Sequence, residues 1–224
     1  MTAPRILFED AHIIVVVKPP GVPVQPDKTG DKDMTALLRE YSGANQNDYL
    51  VVHRLDRTVG GVMVFAKTQR AAAALSASFA NDGAEKRYLA VGTGDLPAEG
   101  ILTDYLLKNE RLNISKIVPL NTPRAKRAML SYVRVAQIQS DDGGLLTLAR
   151  ITLGTGRHHQ IRVQLAHANA PLWGDTKYNP AFARRRGVCV ALWAERLAFP
   201  HPQTQKSLVF ECPPGDMDPF CRFF

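Results

Sequence analysis

The chain has 224 residues, 45% of them hydrophobic and 22% charged, values that exclude a disordered or fibrous protein and leave room for one large core. Lys and Arg number 28 against 21 Asp and Glu, and the resulting formal net charge of +7 favours a polyanionic partner without identifying it. Three cysteines with no C-x-x-C spacing argue against a disulfide framework or a thiolate metal site, residues 1–9 lack the basic-then-apolar run of a signal peptide, and no apolar stretch approaches the roughly 20 residues that span a bilayer.

A single domain spanning residues 1–224 is therefore expected, in a reducing cytoplasm. The apolar run Ile13 to Val17 is a buried strand, and it ends in Lys18-Pro19-Pro20-Gly21-Val22-Pro23, where prolines remove ladder donors and Gly21 permits a turn. Residues 25–33 are a polar loop, Met34 to Tyr41 a short helix, Ser42 to Asp48 turn-rich, and Tyr49 to Val52 apolar. Val62 to Ala66 reads as another strand. Gln69 to Asn81 is alanine-rich with Leu75 and Phe79 four apart, an amphipathic helix closed by Gly83. Strands are expected at Arg87 to Val91, Leu112 to Val118, Met129 to Ile138, Leu145 to Leu153 and Ser207 to Glu211. Their spacing implies hairpins and meanders, so the fold class is α+β, a largely antiparallel mixed β-sheet with flanking helices and loops.

Two places carry chemistry. The loop His53-Arg54-Leu55-Asp56-Arg57-Thr58-Val59-Gly60-Gly61 is rich in charge yet lies between apolar strands. Alternation along an extended segment puts Arg54 and Asp56 on one side and turns Leu55 to the core. An arbitrary R-x-D is more often a weak surface ion pair than a site; the setting and the two glycines, which allow positive φ or close backbone approach to a ligand, count the other way. The second place is Thr155-Gly156-Arg157-His158-His159-Gln160-Ile161-Arg162-Val163-Gln164, read as a helix starting near Arg157, whose free N–H groups and dipole suit phosphate. Ile161, Leu165 and Ala168 share one face of it. Adjacent histidines on a helix point apart and no Glu or Cys stands at i+4, so no metal site is expected. No phosphate-binding P-loop, nucleophile elbow or complete dinucleotide fingerprint occurs. The basic runs Arg124 to Arg127 and Arg184 to Arg186 are, alone, solvated surface.

His53-Arg54-Leu55-Asp56-Arg57, Lys86-Arg87-Tyr88-Leu89-Ala90-Val91 and Thr155-Gly156-Arg157-x-His159-Gln160-Ile161-Arg162 together resemble the three motifs of the RluA-type pseudouridine synthases. Lys18-Pro19-Pro20-Gly21, Gly174-Asp175-x-x-Tyr178 and Phe199-Pro200-His201-Pro202 extend the resemblance over nearly the whole chain. It implies the pseudouridine synthase fold, the isomerisation of uridine in structured tRNA or rRNA, and no cofactor or metal. It also implies Asp56 as catalytic aspartate, Tyr88 as active-site tyrosine, Arg162 as the arginine pairing with the aspartate, and Arg54 as the residue that helps displace the target base. His53, Arg57, Arg157, His159, Gln160 and Leu172 are the further substrate-binding positions. The chain departs from the family in having Val59-Gly60-Gly61 where Thr-Ser-Gly is usual and Trp193 where histidine is common. The S4-like RNA-binding module of many relatives is expected to be absent, and the protein to act as a monomer.

The chemistry suits these residues. Breaking C1′–N1, turning the uracil, forming C1′–C5 and removing the C5 proton neither oxidises nor adds anything. An aspartate with an ordinary pKa of about 3.9 is ionised and available as nucleophile or as stabiliser of an oxocarbenium-like centre. Extruding the base costs a few kcal/mol, which Arg54 offsets by entering the gap. Tyr88 stacks on the uracil, and Leu172 with Ile161 supplies apolar walls. A silent RNA-binding domain would not need Asp56, Tyr88 and Arg162 together, and a carboxylate glycosidase needs a second acid that the motifs lack.

Overall fold

The computed structural model describes residues 4–43, 49–81, 83–140 and 144–224; of the turn-rich stretch expected over Ser42 to Asp48, Ser42 instead ends a helix capped by Gly43, and residues 44–48 lie outside the described residues. In chain order the elements are β1 (Arg5–Glu9), β2 (Ile13–Lys18), α1 (Met34–Ser42), β3 (Leu50–Val51), β4 (Gly60–Ala66), α2 (Gln69–Ala80), β5 (Glu85–Thr93), β6 (Glu99–Asn109), β7 (Ile114–Val118), β8 (Lys126–Gln139), β9 (Leu145–Leu153), α3 (Gln160–His167), β10 (Leu192–Pro200) and β11 (Ser207–Glu211). They form two compact units. One comprises residues 1–86 and 193–213, the other residues 87–192 and 214–224.

In the first unit the strand order is β1-β2-β4-β10, with β3 also on β4 and β11 on β10. Every pairing is antiparallel except β4 with β10, which is parallel and matches Gly60 to Trp193 and Gly61 to Ala194. β2 and β4 are buried along their whole length, which is why they read as continuous apolar runs and not as alternating ones. Asp33 caps α1 by accepting from the N–H groups of Thr35 and Ala36, and Thr68 caps α2 through Ala71. Ala71 and Leu75 are the buried face of α2.

The second unit is an antiparallel sheet in the order β5-β9-β8-β6-β7. α3 packs Val163 against Leu106 and Ala128 of β6 and β8. Overall the strands are mixed and largely antiparallel, as expected. The cysteines are all free thiols. Among the described residues no helix is long and apolar enough to cross a membrane.

Two readings are corrected. Gly60 and Gly61 are not loop residues but the first two residues of β4; the positive φ and close backbone approach expected of them occur at Gly61, where they serve strand packing. A Cβ on Gly61, whose φ is +121°, would lie 2.6 Å from Ala194 N, and one on Gly60 would lie 2.8 Å from Trp193 Cε3 and 2.9 Å from Pro20 Cδ. The third-motif helix starts at Gln160 and not near Arg157. His159 precedes it in the left-handed conformation (φ 54°, ψ 24°), which a helix cannot contain, so Arg157 and His158 lie in the turn before it.

Candidate active site

Within the first unit, the segment joining β3 to β4 places the first-motif residues. Leu55 is buried, Arg54 exposed and Asp56 half-buried, the alternation expected of an extended stretch. The N–H of Val59 donates to the Asp56 carbonyl at 3.0 Å and closes the turn that leads into β4.

His53 and Arg57 hold this loop in place. His53 accepts the Val64 N–H at Nε2 (3.1 Å), so its own proton is on Nδ1, and its ring stacks on Phe79 of α2 with centroids 4.6 Å apart. Burial, aided by the nearby Lys86 ammonium, lowers its pKa to about 3, so the imidazole is neutral near pH 7. Arg57 donates from Nε to the Gly21 carbonyl (2.9 Å) and accepts the Gly21 N–H on its own carbonyl (2.8 Å). Its outer nitrogens reach Thr29 Oγ1 (2.8 Å), Asp27 and Asp31. The arginine in turn holds the Asp31 carboxyl below the usual carboxylate range, with Thr29 adding to the effect.

Lys18 completes the anchorage, a role the sequence reading did not assign. Its ammonium is fully buried and donates to the carbonyls of Pro19 (2.9 Å), Val22 (2.7 Å) and Arg57 (3.0 Å). The signal available in the sequence was a charged residue closing an all-apolar strand just before Pro-Pro-Gly. Such an ammonium must find carbonyl acceptors, and the turn that follows supplies them.

In the second unit, Tyr88 lies on β5 opposite Ile151 of β9 and is 8% exposed. Leu172 is fully buried and bridges Gly92. Gln160 is buried and turned inward: its Oε1 accepts from Thr155 Oγ1 (2.7 Å) and Arg157 N (3.0 Å), and its Nε2 donates to the Met129 carbonyl (3.0 Å). Arg157 is exposed and donates from Nε to the Arg127 carbonyl at 2.9 Å. His159 meets the Tyr178 hydroxyl through Nδ1 (2.9 Å) and stacks on His158.

Arg162 is 4% exposed and makes a two-pronged ion pair with Asp175, Nε to Oδ2 and Nη2 to Oδ1 both at 2.8 Å, while its guanidinium lies 5.3 Å from the Tyr178 ring centroid. Asp175 and Tyr178 were legible only as motif letters, because their partner Arg162 stands on α3, thirteen residues before the first and sixteen before the second. Among the described residues no cluster of three His, Cys, Asp or Glu side chains is arranged to hold a metal.

This arrangement offers a half-buried carboxylate on an anchored loop, two residues from an exposed arginine, and separately an aromatic, a buried arginine and an apolar Leu172. The family described as RNA pseudouridylate synthase matches residues 12–167. tRNA pseudouridine synthase C of Pasteurella multocida is 33% identical over 219 residues, covering 91% of this chain and 88% of that protein. Ribosomal large subunit pseudouridine synthase D of Zymomonas mobilis is 33% identical over 229 residues, covering 95% and 70%. The solved structure of human RNA Pseudouridylate Synthase Domain Containing 1 superposes with a TM-score of 0.79 at 21% identity over 96% of this chain and 84% of that one, a likeness of fold.

Proposed function

Since this chain belongs to the RNA pseudouridylate synthase family and is an RNA pseudouridine synthase, we propose that Asp56 is its catalytic carboxylate and that the uridine it isomerises lies in structured tRNA or rRNA. The observation that carries this is the loop: Asp56 is the one carboxylate of the first motif, on a segment whose neighbours His53 and Arg57 are spent on anchoring it. A carboxylate held in place before substrate arrives needs little reorganisation in the transition state.

The reaction needs one such group. Asp56 assists departure of uracil from C1′, as nucleophile or by stabilising the cationic sugar. The base turns, C5 bonds to C1′, and the C5 proton leaves while N1 gains one, so atoms and electrons balance without an added reagent. Arg54, exposed beside Asp56, enters the space vacated by the flipped base. Tyr88 stacks on the uracil, Arg162 belongs to the same machinery, and Leu172 is an apolar wall. Arg157, His159 and Gln160 contribute around the phosphates, Arg157 by direct contact and buried Gln160 by shaping the turn. His53 and Arg57 serve the substrate through the loop.

The two compact units act as one catalytic domain, which the family match supports by running from residue 12 to residue 167, across the change of unit at residue 87. The enzyme works as a cytoplasmic monomer. Two relatives of equal identity are named for tRNA and for large-subunit rRNA, so the shared residues do not choose the target.

The test uses tRNA and rRNA transcripts labelled with tritium at uracil C5. The wild-type protein is expected to release tritium with no change in RNA mass, and Asp56→Asn to release none while still binding the RNA. Equal release by the variant would refute the role of Asp56, and free uracil among the products would indicate a hydrolase.

A further inference from the structure

A second carboxylate, Asp175, takes no part in the reaction as proposed, yet it is fully buried and saturated with donors. Its Oδ2 accepts from Arg162 Nε, and its Oδ1 accepts from Arg162 Nη2, from the Lys177 N–H (3.0 Å) and from the Tyr178 N–H (3.2 Å). We propose that Asp175 is a positioning residue for the isomerisation, fixing the place and direction of the Arg162 guanidinium; the inference rests on the reading of Arg162 as an active-site residue.

A buried ion pair is a poor means of gaining stability, because desolvating two charges consumes most of their attraction. What it supplies is geometry. A planar guanidinium gripped by two parallel bonds through its Nε and Nη2 edge can neither rotate nor slide.

The segment that carries Asp175 is itself pinned. Trp173 N donates to the Val91 carbonyl on β5 (2.9 Å), Asp175 N to the Leu172 carbonyl (3.2 Å), and Asn179 Nδ2 to the Leu172 carbonyl (3.0 Å) and to Thr93 Oγ1 (2.9 Å). At its far end the Tyr178 hydroxyl accepts the Ser115 N–H (2.7 Å) and shares a hydrogen bond with His159 Nδ1 (2.9 Å). The carboxylate that orients Arg162 thus also orders the backbone between Leu172 and Tyr178.

Asp175→Asn removes the charge and keeps the shape. Whichever way the amide is turned, its NH2 faces a donor: Arg162 Nε on one side, Nη2 with the two backbone N–H groups on the other. The guanidinium must shift, and a displacement of about 1 Å near the chemistry costs about 100-fold in rate. We expect kcat for tritium release, corrected for folded fraction, to fall about 100-fold while KM for the RNA stays within about threefold.

The discriminating measurement is a cycle with Arg162→Met. If Asp175 works through Arg162, adding Asp175→Asn to Arg162→Met brings no further loss of kcat. Independent, multiplicative losses would overturn the inference, as would wild-type kcat in Asp175→Asn. Should that variant fail to fold, Asp175→Glu keeps the charge and lengthens the arm; a loss of tenfold or more is expected, and full activity overturns the inference. Wild-type kcat in Arg162→Met would instead sink the reading of Arg162 itself.

Discussion

Gly60 and Trp193, where the resemblance leads to an expectation of serine and histidine, meet across the parallel β4–β10 pairing. Restoring serine alone, Gly60→Ser, drives its Cβ into the indole, which has no room to yield: Trp193 is 5% exposed and its Nε1 donates to the Cys212 carbonyl at 2.7 Å. Overpacking of this kind costs about 2 kcal/mol. Trp193→His alone leaves a void and removes the indole bond, costing roughly 2–3 kcal/mol. Once the indole is gone, Gly60→Ser loses its tightest contact and only Pro20 Cδ, 2.9 Å from the new Cβ, must still give way, an adjustment offset by the roughly 0.5 kcal/mol gained from the reduced freedom of the unfolded chain. The two changes should therefore couple by about 2 kcal/mol, the penalty that the indole alone imposes. Thermal melting of the four proteins reads this: Gly60→Ser alone lowers Tm by about 4–8 °C for a chain of this size, and in the histidine background it does not lower Tm. Additive shifts would show that the two departures are unrelated.

Lys18→Met withdraws the donor shared by three carbonyls. The Arg57 carbonyl retains the Gly21 N–H, but those of Pro19 and Val22 lose the ammonium, so a loss of about 2–4 kcal/mol is expected; a Tm within about 2 °C of wild type contradicts the clamp. His53 predicts a pH effect. Its folded pKa of about 3 lies below the unfolded value of about 6.5, so the unfolded chain binds the extra proton between these limits and stability falls as pH drops through that window. Denaturant titrations from pH 7.5 to 5.5 should show a loss of roughly 1 kcal/mol that His53→Gln lacks, since glutamine keeps an acceptor for the Val64 N–H and does not titrate. The same slope in both proteins would assign the effect elsewhere.

What the sequence made legible follows from how each element is stabilised. β2, β4 and β9 owe their stability to burial and announce it as apolar runs, and α1 and α2 carry their caps, Asp33 and Thr68, in adjacent residues. β1, β6 and β10 were not foreseen. β6 is exposed over much of its length and contains Gly100 and Asp104, while β10 is interrupted by Glu195 and Arg196, the latter balanced by Glu85 and Glu211 from distant segments. The start of α3 was misplaced because the Gln160 side chain folds back on Thr155 and Arg157, which periodicity does not register. In the site, motif letters located the residues, but their partnerships did not follow: Lys18 meets Arg57 across thirty-nine positions and Arg162 meets Asp175 across thirteen.

The first motif shows why so many charged and titratable residues can share one short loop. Along the extended stretch His53-Arg54-Leu55-Asp56-Arg57 the odd positions are all committed inward or backward, His53 to the Val64 N–H and Phe79, Leu55 to the core, Arg57 to Gly21 and the 27–31 loop. Of the even positions Arg54 is exposed and Asp56 is half-buried. Period-two alternation thus divides the motif into residues that build the loop and residues proposed to work from it. The histidine of the motif is kept neutral by burial. A substitution at 53, 55 or 57 therefore acts on Asp56 through the backbone, lowering stability and rate together, whereas one at 54 or 56 changes rate with the fold intact.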